Sequence, residues 1–335
     1  MDKVANRLIE KEIFTLMKPI TKILVALTTL AGIAASTLYA PSNANVAPTM
    51  PESAPVPSYV SAEDIIQYGQ PNRLALQSSV VMVMDDRESV MIYGRNVDRP
   101  RPIASLTKLM TALVIVESGL PLDEQIKITR EDRDRLRNTR SRLNFNAVYT
   151  RLDLLRAALG ASDNRAAAAL ARSYPGGREA MALAMNAKAK ELGMIQTHYV
   201  DSSGLDNNNI STARDLTRLV AVTSKQPLIH TLTTTPSFQV TDLVSGRQVS
   251  YHNTNRLLRR GAWDIGLSKT GYTAAAGNCL LMQTTIANRP LTIVLLDSWG
   301  KQSRYGDANR INKWLQKAER RVPPIITASA SPTLR

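Results

Sequence analysis

A chain of 335 residues with 44% hydrophobic and 21% charged side chains has the composition of a globular protein, which excludes an intrinsically disordered one. Its net charge of +14 points to a polyanionic partner or surface, and charge alone does not choose among nucleic acid, anionic lipid and anionic wall polymer. A single cysteine, Cys279, excludes an intramolecular disulfide and a multi-cysteine zinc site, and none of the three histidines is spaced as a metal pair, so no metal and no cofactor is expected.

In chain order, Lys18 and Lys22 precede an apolar, small-residue stretch from Ile23 to Ala40, followed by Ser42-Asn43-Ala44. This pattern reads as a secretory signal over residues 1–44 with cleavage after Ala44, in preference to a membrane anchor; Glu10 and Glu12 make Met17 a candidate start. Cleavage there takes five basic and three acidic side chains with it and leaves +12, so the exported protein keeps its basic character and nucleic acid is disfavoured as a partner. Residues 45–73 read as a linker rich in Pro48, Pro51, Pro55 and Pro57 with a lead-in, residues 74–321 as one domain, and residues 322–335 as a disordered tail.

Within the domain, Ser79–Met84, Asp85-Asp86-Arg87 and Ser89–Tyr93 predict a hairpin. Pro100 and Pro102 precede a helix from near Ala104, apolar all round and closed by Gly119, as a buried central helix would be. Thr150 and Asp153 mark a capping-box start for a helix over Arg151–Leu159. Further helices follow from Asn164, over Arg178–Leu192 and from Ser211. Ile265–Thr270, Asn278–Thr285 and Leu291–Asp297 read as strands, and Asp307–Arg320 as a last helix. Strands at both ends with helices between them imply an α/β sandwich, in which an antiparallel sheet is covered by helices, an all-helical subregion fills the middle of the chain, and the first hairpin pairs with the last strands. Cys279 lies in an apolar run and reads as a buried, inert thiol.

Ser105 and Lys108 stand three positions apart at the start of the central helix, where they share a face. A serine hydroxyl needs a base, and a lysine serves if burial and nearby positive charge lower its pKa from about 10.4. A second S-x-x-K match, Ser298 to Lys301, follows a strand and reads as chance. Ser162-Asp163-Asn164 sits in a turn between helices, where capping is the ordinary role. Lys269-Thr270-Gly271 ends a strand and offers a cation, a hydroxyl and room for close backbone approach to an acidic ligand. Each triplet alone is weak.

Together and in this order they match the S-x-x-K, S-D-N and K-T-G set of penicillin-recognising serine enzymes. Arg101–Ala112, Asn164–Ala167, Met185–Ala187, Leu192–Met194, Ser211–Leu216 and Lys269–Gly277 closely resemble the low-molecular-mass D-alanyl-D-alanine peptidases of serine peptidase family S11, and within them the endopeptidase branch. The resemblance covers roughly residues 74–320. It implies a β-lactamase/transpeptidase-like fold, Ser105 as nucleophile, Lys108 as base, and Ser162 and Asn164 completing a polar network beside Lys108, with Ser162 relaying a proton. It implies Lys269 and Thr270 as holders of the substrate carboxylate, and the backbone N–H groups of Ser105 and Tyr272, beside Gly271, as the oxyanion hole. Asp163, at the variable middle position, is assigned no chemistry.

The implied substrates are cross-linked peptides of peptidoglycan, with β-lactams as covalent inhibitors, in the periplasm. The absence of an amphipathic anchor after Lys269 favours an endopeptidase over a D-alanyl-D-alanine carboxypeptidase and leaves charge as the means of wall or membrane association. A β-lactamase is the other rival. Between Ser162 and Lys269 it would need a deacylating glutamate, and Glu179 and Glu191 fall within one predicted helix. Arg130, Arg133, Arg135, Arg137, Arg140 and Arg142, interleaved with Glu131, Asp132 and Asp134, read as a solvated segment in preference to a binding patch.

Overall fold

Period-two alternation builds the centre of the molecule. In a computed structural model that describes residues 59–323 apart from 259, 260 and 262, Val80 and Met82 face one way from the first strand and Val81 and Val83 the other, all fully buried. A strand buried on both faces needs a layer on each side. The elements are α1 (Ala62–Gly69), β1 (Ser78–Asp85), β2 (Val90–Arg95), β3 (Arg101–Pro102), α2 (Thr107–Glu117), β4 (Gln125–Lys127), β5 (Val148–Thr150) and α3 (Arg151–Gly160). There follow α4 (Asn164–Arg172), α5 (Gly177–Glu191), β6 (Ile210–Ser211), α6 (Ala213–Thr223), α7 (Pro227–Thr234), β7 (Ser237–Thr241), β8 (Gln248–His252), β9 (Asp264–Thr273), β10 (Gly277–Ile286), β11 (Arg289–Ser298) and α8 (Ser303–Glu319).

The main sheet is antiparallel in the order β2-β1-β11-β10-β9. β1 pairs with β11 from Ser78 opposite Ser298 to Asp85 opposite Leu291, so the first hairpin closes onto the last strands as expected. One face packs against α1 and α8 through Ile65, Ile311 and Leu315; the other packs against α2 and the helices around it through Leu109, Leu113 and Leu216. The predicted sandwich is therefore observed. β9 is one of the sheet's two edge strands, and it runs beside the turn that opens α2.

Several boundaries differ from expectation. α1 lies in the segment read as lead-in and carries a complete capping box between Ser61 and Asp64. The capping box at Thr150 is only half formed: Thr150 accepts the N–H of Asp153, whose carboxylate turns to Arg156 instead. α8 starts at Ser303, ahead of the predicted Asp307. That aspartate is buried inside the helix and accepts the Gln77 and Ser78 N–H groups and the Ser78 hydroxyl, fastening α8 to the start of β1. The predicted signal over residues 1–44, most of the linker and the tail beyond residue 323 lie outside the described residues.

Candidate active site

The predicted helix start at Ala104 is instead a 3₁₀ turn over Ala104–Leu106, with α2 beginning at Thr107, so Ser105 sits on the turn at the helix mouth. Ala104 has φ +47°, a left-handed conformation that costs an L-residue about 1–2 kcal/mol. The Thr107 hydroxyl donates to the Ala104 carbonyl at 2.8 Å, and Gly204 packs directly on that carbonyl. A Cβ on Gly204 would lie 1.9 Å from the Ala104 oxygen, with φ at +78°. We expect Gly204→Ala to lower penicillin acylation about a hundredfold by displacing the Ser105 turn. Gly119→Ala, at φ +66° with nothing within 4 Å of the added Cβ, should lose stability only. Acylation rates and thermal midpoints of the two variants check this; equal rates would refute it.

Lys108, 1% exposed, has three partners: Ser105 Oγ at 2.8 Å, Asn164 Oδ1 at 2.7 Å and the Ser203 carbonyl at 2.6 Å. An ammonium donates to all three. A neutral amine has two N–H groups and one lone pair, and two of these partners can only accept. Both N–H groups are then committed, and the lone pair is left facing the Ser105 hydroxyl. Burial lowers the Lys108 pKa to about 8, opposed by the carboxylates of Asp201, Asp163 and Asp134.

The orientation of Asn164 follows from a charge further out. Asp134 accepts the Thr139 hydroxyl proton at 2.7 Å, so Thr139 Oγ1 must accept in turn, and it takes Asn164 Nδ2–H at 2.9 Å. That leaves Asn164 Oδ1 for Lys108. Asp163 does the capping in this turn: it accepts the Ala166 N–H at the start of α4 and also the hydroxyls of Ser141 and Tyr251.

Ser162, at φ +59°, is brought to the cleft but not to Lys108; its hydroxyl accepts from Lys269 Nζ at 2.9 Å. The single network expected around Lys108 is thus two, one per lysine. Lys269 is itself buried, also donates to the Thr270 carbonyl, and is lowered well below the usual lysine range by burial, then by Lys108 and Arg304. It stands behind the cleft wall rather than on it.

The cleft encloses about 450 Å³ and is lined by Ser105, Ser162, Asn164, Thr270, Gly271 and Tyr272, together with Arg256, Lys301 and Arg304. Gly271 lets β9 approach the Ser105 turn: a Cβ there would meet the Ile103 carbonyl at 3.1 Å and the Ser105 nitrogen at 3.2 Å. Arg304 donates to the Gly271 carbonyl at 3.0 Å, which places its guanidinium beside Thr270. The second S-x-x-K match does not reproduce this arrangement. Ser298 is buried at the end of β11 and donates to Ser78 Oγ, whose own proton goes to Asp307, while Lys301 lines the cleft without it.

Sequence reasoning missed Arg304, Thr139, Asp134 and the turn Asp201-Ser202-Ser203-Gly204. Asp201 shapes that turn by accepting the N–H groups of Ser203, Gly204 and Asp206. A D-S-S-G run signals a turn, but nothing local ties it to a lysine far back in the chain. The basic segment 130–142 is also more than a solvated loop: Arg137 donates to the Leu205 carbonyl and Arg142 to the Ser250 carbonyl, so it folds over the site. Cys279 is buried as expected, and burial pushes its thiol up to about 11.

The family model for D-alanyl-D-alanine carboxypeptidase, peptidase S11, matches residues 67–300. The chain is 43% identical to a D-alanyl-D-alanine endopeptidase of Pseudomonas aeruginosa over 80% of this chain and 86% of the relative. It is 42% identical to one of Escherichia coli over 76% and 82%. Among solved structures it is similar to the Streptomyces K15 DD-transpeptidase, with a TM-score of 0.67 and 26% identity over 72% of this chain and 98% of that one. With that match over most of its length, and with a serine, a buried lysine and an edge strand meeting in one cleft, the chain belongs to serine peptidase family S11 and is a serine hydrolase of the D-alanyl-D-alanine peptidase kind.

Proposed function

We propose that the protein is a serine D,D-endopeptidase that hydrolyses D-alanyl cross-links of peptidoglycan through an acyl-enzyme, and that it is exported to the periplasm. The observation that carries the reading is the geometry at Lys108: two acceptor-only partners aim its lone pair at Ser105 once the amine is neutral. In the proposed reaction Lys108 takes the Ser105 proton and Oγ attacks the D-alanyl carbonyl. The oxyanion forms against the N–H groups of Ser105 and Tyr272. Lys108 returns that proton to the leaving amine, with Ser162 held beside the reaction by Lys269. Water then attacks the acyl carbonyl, gives a proton to Lys108, and Ser105 Oγ leaves with it. Thr270 and Arg304 on the cleft wall take the carboxylate of the amine component, or that of a β-lactam, with the buried Lys269 amine standing behind them. The basic charge of the exported chain supplies electrostatic attachment to anionic wall polymer, screened by salt.

The identity to proteins named endopeptidase, 43% and 42%, against 30% for a carboxypeptidase of Streptomyces K15, supports cross-link cleavage over trimming. Digestion of purified muropeptides decides between them. Cross-linked dimers should fall to monomers faster than monomeric pentapeptide loses its last D-alanine. Trimmed pentapeptide with surviving dimers would establish the carboxypeptidase reading instead.

A further inference from the structure

A second cavity, about 560 Å³, adjoins the cleft, and Asn164 lines both. It follows one face of α4, through Asn164, Ala168 and Ala171, spaced four and three residues apart, so it runs about 10 Å along the helix from Asn164. The two alanines present no bulk to the cavity. The other walls are the segments 131–136 and 200–205.

Its charged groups fall into two classes. Asp132, Asp134 and Asp201 are engaged by the protein: Asp132 by Arg172 and Arg178, Asp134 by three backbone N–H groups and Thr139, Asp201 by the turn it shapes. Glu131, Arg133 and Arg135 are exposed, and their side chains have no hydrogen-bond or ion-pair partner among the described residues. One carboxylate and two guanidiniums stand unpaired here, the two arginines lying between this cavity and a neighbouring one of about 370 Å³ lined also by Arg130, Asn138 and Phe145.

The proposed reaction places the amine component on the Thr270 and Arg304 side of Ser105, so the acyl-side stem must leave in another direction. A cross-link made through a side-chain amine requires a diamino acid in each stem. The acyl-side stem therefore carries one beside its scissile D-alanine, with a free side-chain amine; where that residue is a diamino dicarboxylic acid, its far end is a zwitterion. We propose that the second cavity is the subsite for this stem and that it selects a zwitterionic diamino-acid terminus, Glu131 pairing with the ammonium and Arg133 and Arg135 with the carboxylate. This rests on the D-alanyl peptidase reading above.

The test uses the full-length protein and a purified cross-linked dimer whose acyl-side diamino acid has a free amine and carboxylate, beside the same dimer N-acetylated at that amine. Benzylpenicillin, whose acyl side chain is apolar, serves as the reference acylating agent. Glu131→Gln should lower the ratio of dimer cleavage to penicillin acylation roughly fivefold, as for a partly exposed charge-assisted contact. Acetylation should produce a similar loss in the wild type and no further loss in the variant. Arg133→Gln with Arg135→Gln should show the same pattern against a carboxamidated dimer. All three side chains are exposed, so folding is not at stake, and circular dichroism verifies it. Variants that keep the wild-type ratio, or that lose equally on free and blocked dimers, overturn the subsite while leaving the peptidase reading intact. Wild-type protein that is acylated by penicillin but cleaves neither dimer overturns the endopeptidase reading, and the subsite with it.

Discussion

Ser105→Ala should abolish covalent labelling by a fluorescent penicillin and all dimer cleavage. Ser162 Oγ accepts from Lys269, and Thr270 Oγ1 donates to Thr254, so neither is placed as Ser105 is, facing a lysine whose other two partners can only accept. The variant removes one atom from a turn held by contacts to Ala104, not to the serine side chain, so the fold persists. Removal of a nucleophile leaves no route to an acyl-enzyme, and the loss should reach background, about 10⁴-fold or more. Ser298→Ala is the informative control, because it carries the same S-x-x-K spacing. Its hydroxyl bonds Ser78 at the buried end of the central strand β11, so that variant should label at the wild-type rate with a lower thermal midpoint. Labelling that persists in Ser105→Ala, or disappears in Ser298→Ala, would move the nucleophile.

The parts of the fold legible in the sequence are those where one chain segment carries its own signal. Val80–Val83 alternate between two buried faces yet read simply as a β-branched run; the three C-terminal strands and the all-apolar α2 are similar cases. What escaped depended on partners. α1 followed a proline-rich stretch, and α7 is a threonine-rich helix that propensity disfavours, held by burial of Ile229 and Leu232. The β7–β8 hairpin packs Phe238 on Tyr251 at 5.4 Å, a pairing across strands rather than along one.

The site divides in the same way. The three motifs supplied Ser105, Lys108, Ser162, Asn164, Lys269, Thr270 and Gly271, the family resemblance added Tyr272, and the fold brings these to one cleft or its back wall. Which lysine Ser162 would bond was not legible, because it depends on the left-handed backbone at Ser162. Nor was the line from Asp134 through Thr139 to Asn164, since it joins a surface loop to a helix start by side chains alone. Arg304 reaches the cleft from α8, on the opposite side of the sheet's edge strand, and no short motif could announce it.

Lys108→Met is expected to reduce acylation by about 10³-fold, within the range for loss of a general base. In the wild type the rate should rise with pH around a midpoint near 8, because only the neutral amine has a lone pair for Ser105. The same shift makes a stability prediction whose sign is fixed. The folded pKa is about 8 against 10.5 for a free lysine side chain, so between these values the unfolded chain binds more protons than the native one. Stability contributed by Lys108 therefore rises with pH across that window. Below pH 8 the full penalty, on the order of 3 kcal/mol, is present. Lys269 is shifted in the same direction, so it adds to the slope and remains in the variant. Tyr199 and Tyr251, whose pKa values burial pushes up, act with the opposite sign as pH passes 10, which makes pH 8 to 9.5 the range to measure. Urea denaturation across it should show a smaller rise in stability for Lys108→Met than for wild type. In compensation the methionine leaves Asn164 Oδ1 and the Ser203 carbonyl without their donor, so its absolute stability at pH 7 should lie close to wild type rather than above it. An acylation rate flat from pH 6 to 9 in the wild type, or an unchanged stability slope in the variant, would mean that Lys108 keeps its proton in the folded protein and that another group deprotonates Ser105.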